Sequence, residues 1–106
     1  MDVNLEHLSV THNQEDRRFE LVVDGLRTLL TYRRFGERIF FDHTEVPVAL
    51  EGKGLAAKLA RVALDFARAN HMRVVPLCPY VSSFIWKHPE YQDLLSPDDL
   101  QKLRSG

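Results

Sequence analysis

The apolar residues of this 106-residue chain change their period once, between Pro47 and Gly54. Before that point the pattern alternates, with Phe19, Leu21 and Val23 on one face of an extended segment. Asp24-Gly25 tolerates positive φ at both centres of a tight hairpin. The alternation predicts four strands: one near Leu5–Thr11, one carrying Phe19 to Val23, one at about Leu26–Arg34 and one around Arg38–Glu45. They form an antiparallel meander that Pro47 ends, because it has no N–H to give to a ladder. From Gly54 the period is helical. Leu55, Leu59, Val62 and Phe66 make an apolar stripe, with Lys58, Arg61, Asp65 and Arg68 towards solvent. Ala56, Ala60, Ala63 and Ala67 form a neighbouring stripe of small side chains that lets the helix lie close to a sheet. Asn70 supplies a left-handed stop.

Downstream, "RVVPL" from Arg73 reads as a short buried strand, and "YVSSFIWKH" (Tyr80–His88) as a helix stopped by Pro89. Ser96, followed by Pro97 and by Asp99 three residues on, opens a short last helix. Four strands, a helix, a strand and a helix define an α/β (α+β) domain with a mixed sheet. Trp86 and Tyr91 are expected to pack the last helices against that sheet, and His7 and His12 to sit on the surface.

The length fits one domain, 1–106, with one core. With 14 basic and 15 acidic residues the net charge is −1, so no global field recruits nucleic acid or an anionic membrane. The Arg17-Arg18 and Arg33-Arg34 pairs read as solvated strand ends. Cys78 is the single cysteine, which excludes an internal disulfide, and the five histidines lack ligand spacing, so no metal is expected. The first residues lack the basic start and apolar run of a signal peptide, and no apolar stretch reaches bilayer length. A cytoplasmic protein is expected.

The stretch "EGKGLAAKLARVALDFARAN" (Glu51–Asn70) places two glycines around a lysine at the mouth of the helix. The first amides of a helix are unpaired and its dipole attracts anions, so glycines there let a phosphate reach the backbone. Gly52, Gly54 and Ala56 suit that use, and Lys53 adds a charge. A strand-to-helix turn that needs positive φ is the other reading of the same residues. No Gly-Lys-Ser/Thr follows, so the stretch is not a Walker loop.

A meander ending in "HTEVP", then "EGKGLA" opening a helix, then "VVPLC", resembles the GNAT superfamily of acetyl-CoA-dependent N-acetyltransferases. "PLCPY" (Pro76–Tyr80) followed by "HPEY" (His88–Tyr91) resembles its small, single-domain, cysteine-containing members, and the likeness runs over about Glu15–Leu95. It implies a minimal GNAT-like fold that moves acetyl from acetyl-CoA to an amine. Gly54 and Ala56 match the small positions of the superfamily's Gln/Arg-x-x-Gly-x-Gly/Ala pyrophosphate loop, while Glu51 replaces the usual Gln or Arg. Its side chain is expected to point outward, since Gly52, Lys53, Gly54, Leu55 and Ala56 would bind through backbone N–H groups.

The resemblance also implies a splay of the strands before the loop and after the long helix, with the pantetheine arm between Val46 on one edge and Leu77 with Cys78 on the other. Tyr80, Ser83 and Lys87 would contact the arm and phosphates of coenzyme A. Ile85 stands where many members carry an acidic tyrosine. Cys78 is the candidate replacement, either as a thiolate that accepts the acetyl group, with His43 as its base, or as a thiol that protonates the departing sulfur. The other reading is a small buried core cysteine, with His43 serving a strand-end hydrogen bond. His43, Glu45 or water would take the proton of the attacking amine. The acceptor is unidentified; a protein lysine or N-terminus suits a shallow site, on a monomer or weak homodimer. Rival readings are a non-catalytic CoA-binding module and a pure interaction domain.

Overall fold

Five strands form one sheet in the order β1-β2-β3-β4-β5: β1 (Thr11–Asn13), β2 (Arg18–Val23), β3 (Leu26–Phe35), β4 (Arg38–Glu45) and β5 (Arg73–Pro76). The computed structural model describes residues 7–105. The first four strands are antiparallel, and β5 joins β4 in parallel after a crossover through α1 (Leu55–Ala69). The predicted mixed sheet is the observed one. Asp24 and Gly25 take φ of 50° and 77°, the left-handed values their hairpin needs.

The first strand differs from the expectation. It runs over Thr11–Asn13, and Leu8 to Val10 are not in the ladder; the earlier part of the predicted span lies outside the described residues. The register pairs His12 with Phe19, and the two rings stack with centroids 4.1 Å apart. His12 also meets the edge of Phe66 at 4.5 Å and hydrogen-bonds the Tyr32 hydroxyl at 2.6 Å. This histidine is therefore half-buried rather than a surface residue, and aromatic packing selects the register. His7 is exposed as expected.

Burial, and then the charge of Arg34, push the His12 imidazole below its usual titration range. A lowered folded value means that His12 contributes stability above the unfolded value of about 6.5, lost as pH falls through the folded one. The urea midpoint should drop from pH 7.5 to pH 5, and His12→Gln should flatten that drop; an equal drop in both proteins would refute it.

Leu21, Leu30, Tyr32, Ile39, Phe41 and Val74 of the sheet are buried against Leu59, Ala60, Ala63, Leu64 and Ala67 of α1. The apolar stripe is thus rotated from the expected one. Val62 is exposed, because the alanines occupy the sheet-facing centre and bring the helix axis close to the strands. Asn70 is not left-handed either. Its φ is −102° and its side-chain amide donates to the Phe66 carbonyl at 2.8 Å, while His71, at φ 55°, makes the turn.

Helix α2 (Pro79–Lys87) ends at His88, whose ring stacks on Phe84 at 4.0 Å. A 3₁₀ segment, Pro89–Leu94, follows. There Tyr91 is buried and donates to Asp65 Oδ1 at 2.9 Å, and Asp93 takes two 2.8 Å bonds from Arg68. Helix α3 (Pro97–Ser105) starts where predicted, with Ser96 Oγ accepting the Asp99 amide at 3.1 Å. Trp86 departs from the expectation: it is 52% exposed, because it lies on the side of α2 turned away from Val81, Phe84 and Ile85, the residues that α2 buries. No described helix is long and apolar enough to cross a membrane.

Candidate active site

The site begins with one extra residue in β4. Tyr32 pairs with Phe41, but Thr31 pairs with His43, so Asp42 is a bulge. Its carboxylate takes a bond from the Thr31 hydroxyl and another from Arg33 Nε at 3.2 Å. A bulge shifts the side-chain alternation by one. Beyond it Thr44 pairs with buried Leu30 and takes the core side, whereas His43 pairs with Thr31 on the outer face.

Parallel pairing of β4 with β5 stops at the same level. The last registered pair is Phe41 with Pro76, and the Phe41 carbonyl accepts the amides of both Leu77 and Cys78 at 2.9 Å. Residues 42–46 and 77–80 then continue without pairing to each other. The β4–β5 ladder thus ends at the level where the splay is expected.

Cys78 caps the N-terminus of α2 and is 5% exposed. Its sulfur lies 3.2 Å from Thr44 Oγ1, within hydrogen-bond reach. His43 is not brought to it. The His43 side chain is 62% exposed and its Nε2 lies 3.8 Å from the carboxylate of Glu45, which is on the same face. Alternation continued from Ile39 and Phe41 would put His43 inside; the bulge gives that place to Thr44. Thr44 is the residue that sequence reasoning missed, and nothing local to "DHTE" signals the bulge.

After β4 a 3₁₀ turn, Val48–Leu50, leads to the glycines. Gly52 and Gly54 have φ of 75° and 81°, which bulkier residues adopt at a cost of about 1–2 kcal/mol each. The turn reading is the one the backbone shows directly: both glycines are left-handed at the strand-to-helix turn. Gly54 caps α1 with no side-chain bond, and no described backbone carbonyl takes the amides of residues 52–57. A Cβ on Gly52 would meet open space. The first turn of α1 contains no acidic residue, and Glu51 is exposed without an ion pair among the described residues.

A cavity of about 600 Å³ joins these parts. Its lining contains Val46, Gly52, Lys53, Gly54, Leu55, Ala56 and Tyr80 of the residues expected to hold a cofactor, together with Thr44, Glu45 and Leu50. Burial, and secondarily Cys78 when ionised, hold the Tyr80 hydroxyl above the usual tyrosine range, so it is a protonated donor at neutral pH. Ser83 and Lys87 are not in this lining. Ser83 faces a different cavity, and Lys87 is exposed in the last turn of α2. Cys78 and Leu77 are not in this lining either; buried Cys78 lies behind Thr44, whose hydroxyl connects its sulfur to the cavity wall.

A family model for GCN5-related N-acetyl-transferase matches residues 18–94. Protein NATD1 of Bos taurus is 36% identical over 95 residues, covering 85% of this chain and 84% of the relative. Protein NATD1 of Homo sapiens is 34% identical over 95 residues, with coverage of 85% and 84%. The solution NMR structure of a GCN5-like protein from Staphylococcus aureus superimposes with a TM-score of 0.68 at 26% identity, covering 87% of this chain and 91% of that one.

Proposed function

This chain belongs to the GCN5-related N-acetyltransferase family and is an acyltransferase by family and fold, and we propose that it moves acetyl from acetyl-CoA to an amine by way of Cys78. The observation that carries the proposal is the single cavity shared by the bare glycine loop, the end of β4 and Tyr80. Acetyl-CoA, when bound, supplies an activated acetyl thioester and a diphosphate. The amides of Gly52 to Ala56 donate to the diphosphate, aided by the α1 dipole and Lys53. The pantetheine arm fits between Val46 and the Leu77-Cys78 edge.

Thr44 orients the Cys78 sulfur, and the N-terminus of α2 favours negative charge developing there. Cys78 Sγ forms the bond to the acetyl carbon as the bond to the coenzyme sulfur breaks; the thiol proton leaves with that sulfur, and Tyr80 is placed to relay it. A neutral amine then bonds to the acetyl carbon as the bond from that carbon to Cys78 Sγ breaks. The amine gives up one N–H proton to water and the departing thiolate takes one from water, which restores the thiol. Glu45 lines the cavity and faces outward with His43, so this pair is suited to carry the amine proton to water. The acceptor in this reading is a protein lysine or N-terminus.

Incubation with acetyl-labelled acetyl-CoA and no amine should leave label on wild-type Cys78, and added amine should discharge it. Thr44→Val should slow labelling about tenfold, the value of one oriented hydrogen bond, while Thr44→Ser should restore it. Cys78→Ala should bind coenzyme A and carry no label. Binding without label or transfer in the wild type would leave a non-catalytic CoA-binding module; a calorimetric blank with coenzyme A would remove the cradle itself.

A further inference from the structure

A second cavity, about 660 Å³, shares no lining residue with the cavity at the glycine loop, although it contains Leu77, whose edge the proposed pantetheine slot also uses. Val75, on the side of β5 opposite buried Val74, and Leu77, just past the strand, line it together with Trp86 of α2 and Leu103 of α3. Leu77 is 58% exposed and Trp86 52%, so apolar area lies open to water in a concave site.

Helix α3 brings two cations, Lys102 and Arg104, and one carboxylate, Asp99, to this groove, a net positive charge. The Lys102 side chain is 81% exposed and reaches Asp99 only at 4.0 Å, and Arg104 has no carboxylate partner among the described residues. On the opposite wall the Ser82 hydroxyl is used on the Pro76 carbonyl at 3.0 Å, whereas no described residue engages the Ser83 hydroxyl. The volume is that of a small-molecule site. Apolar walls beside weakly neutralised cations select an apolar body that ends in one anionic group.

We propose that the groove between β5, α2 and α3 is a second binding site, for amphipathic carboxylates. It does not depend on acetyl transfer, and its test reads binding alone. Trp86 is the only tryptophan of the chain, so its emission reports the groove directly. Titration of the whole protein with decanoate should give a saturable blue shift, and 1-decanol, of equal length and uncharged, should bind about tenfold more weakly. The double variant Lys102→Glu with Arg104→Glu should erase that preference; both side chains are exposed, and circular dichroism checks the fold. No saturable shift, equal affinity for the alcohol, or an unchanged preference in the variant would overturn the proposal. So would a blue shift on raising the protein concentration alone, which would give the groove to a second copy of the chain.

Discussion

Gly54→Val is expected to lower affinity for coenzyme A by about a hundredfold or more, equivalent to about 2.7 kcal/mol. Two losses combine. A β-branched residue at φ 81° costs about 1–3 kcal/mol, so the loop relaxes away from the conformation that bares its amides. Bonds from those amides to a charged diphosphate contribute about 1.5–3 kcal/mol each, and a relaxed loop forfeits at least one. Gly36→Ala is the control: Gly36 is also left-handed, at φ 58° and open to a Cβ, but it turns the β3–β4 hairpin and lines no part of the cradle. That variant should lose stability and keep its affinity. Calorimetric titration of both reads the difference. Full affinity in a folded Gly54→Val protein would show that the diphosphate does not rest on this backbone.

The largest stability effect is expected from Phe41→Ala, a loss of about 3–5 kcal/mol. The Phe41 ring is fully buried and meets Tyr32 at 6.4 Å, so truncation leaves a cavity in the middle of the sheet's packed face. Whole domains are stable by about 5–15 kcal/mol, so the variant should sit close to unfolding. The consequence is local as well as global. The Phe41 carbonyl holds the amides of Leu77 and Cys78, so loosening β4 loosens the segment that carries the sulfur. Urea denaturation should show a midpoint far below the wild type with a similar slope, and added coenzyme A should recover part of it. A shift under about 1 kcal/mol would mean that neighbouring side chains close the gap.

Much of the site is legible from local chemistry. The glycine pair at the head of α1 announces a left-handed turn and unpaired amides, because both follow from neighbouring residues alone. Cys78 between two prolines marks the end of a strand and the start of a helix for the same reason. The partner of Cys78 is not legible in this way. Thr44 reaches the sulfur only because β3 and β4 pair out of step at Asp42, whose carboxylate is held by Thr31 and Arg33 from the neighbouring strand.

Trp86 and Val62 carry the same lesson. Each sits in a correctly placed helix, but whether its face is covered depends on what packs there. His12 shows the reverse case, a polar residue drawn inward by Phe19, Phe66 and Tyr32 from three other elements. By itself, then, the order of residues determined the β2–β4 hairpins, the helices and the glycine turn, though not the extent of β1 or the residue that turns after α1, since backbone sterics and hydrophobic period act within a few residues. Only the tertiary structure decided which side chains share the slot beside Cys78, because pairing between distant strands sets the phase of β4.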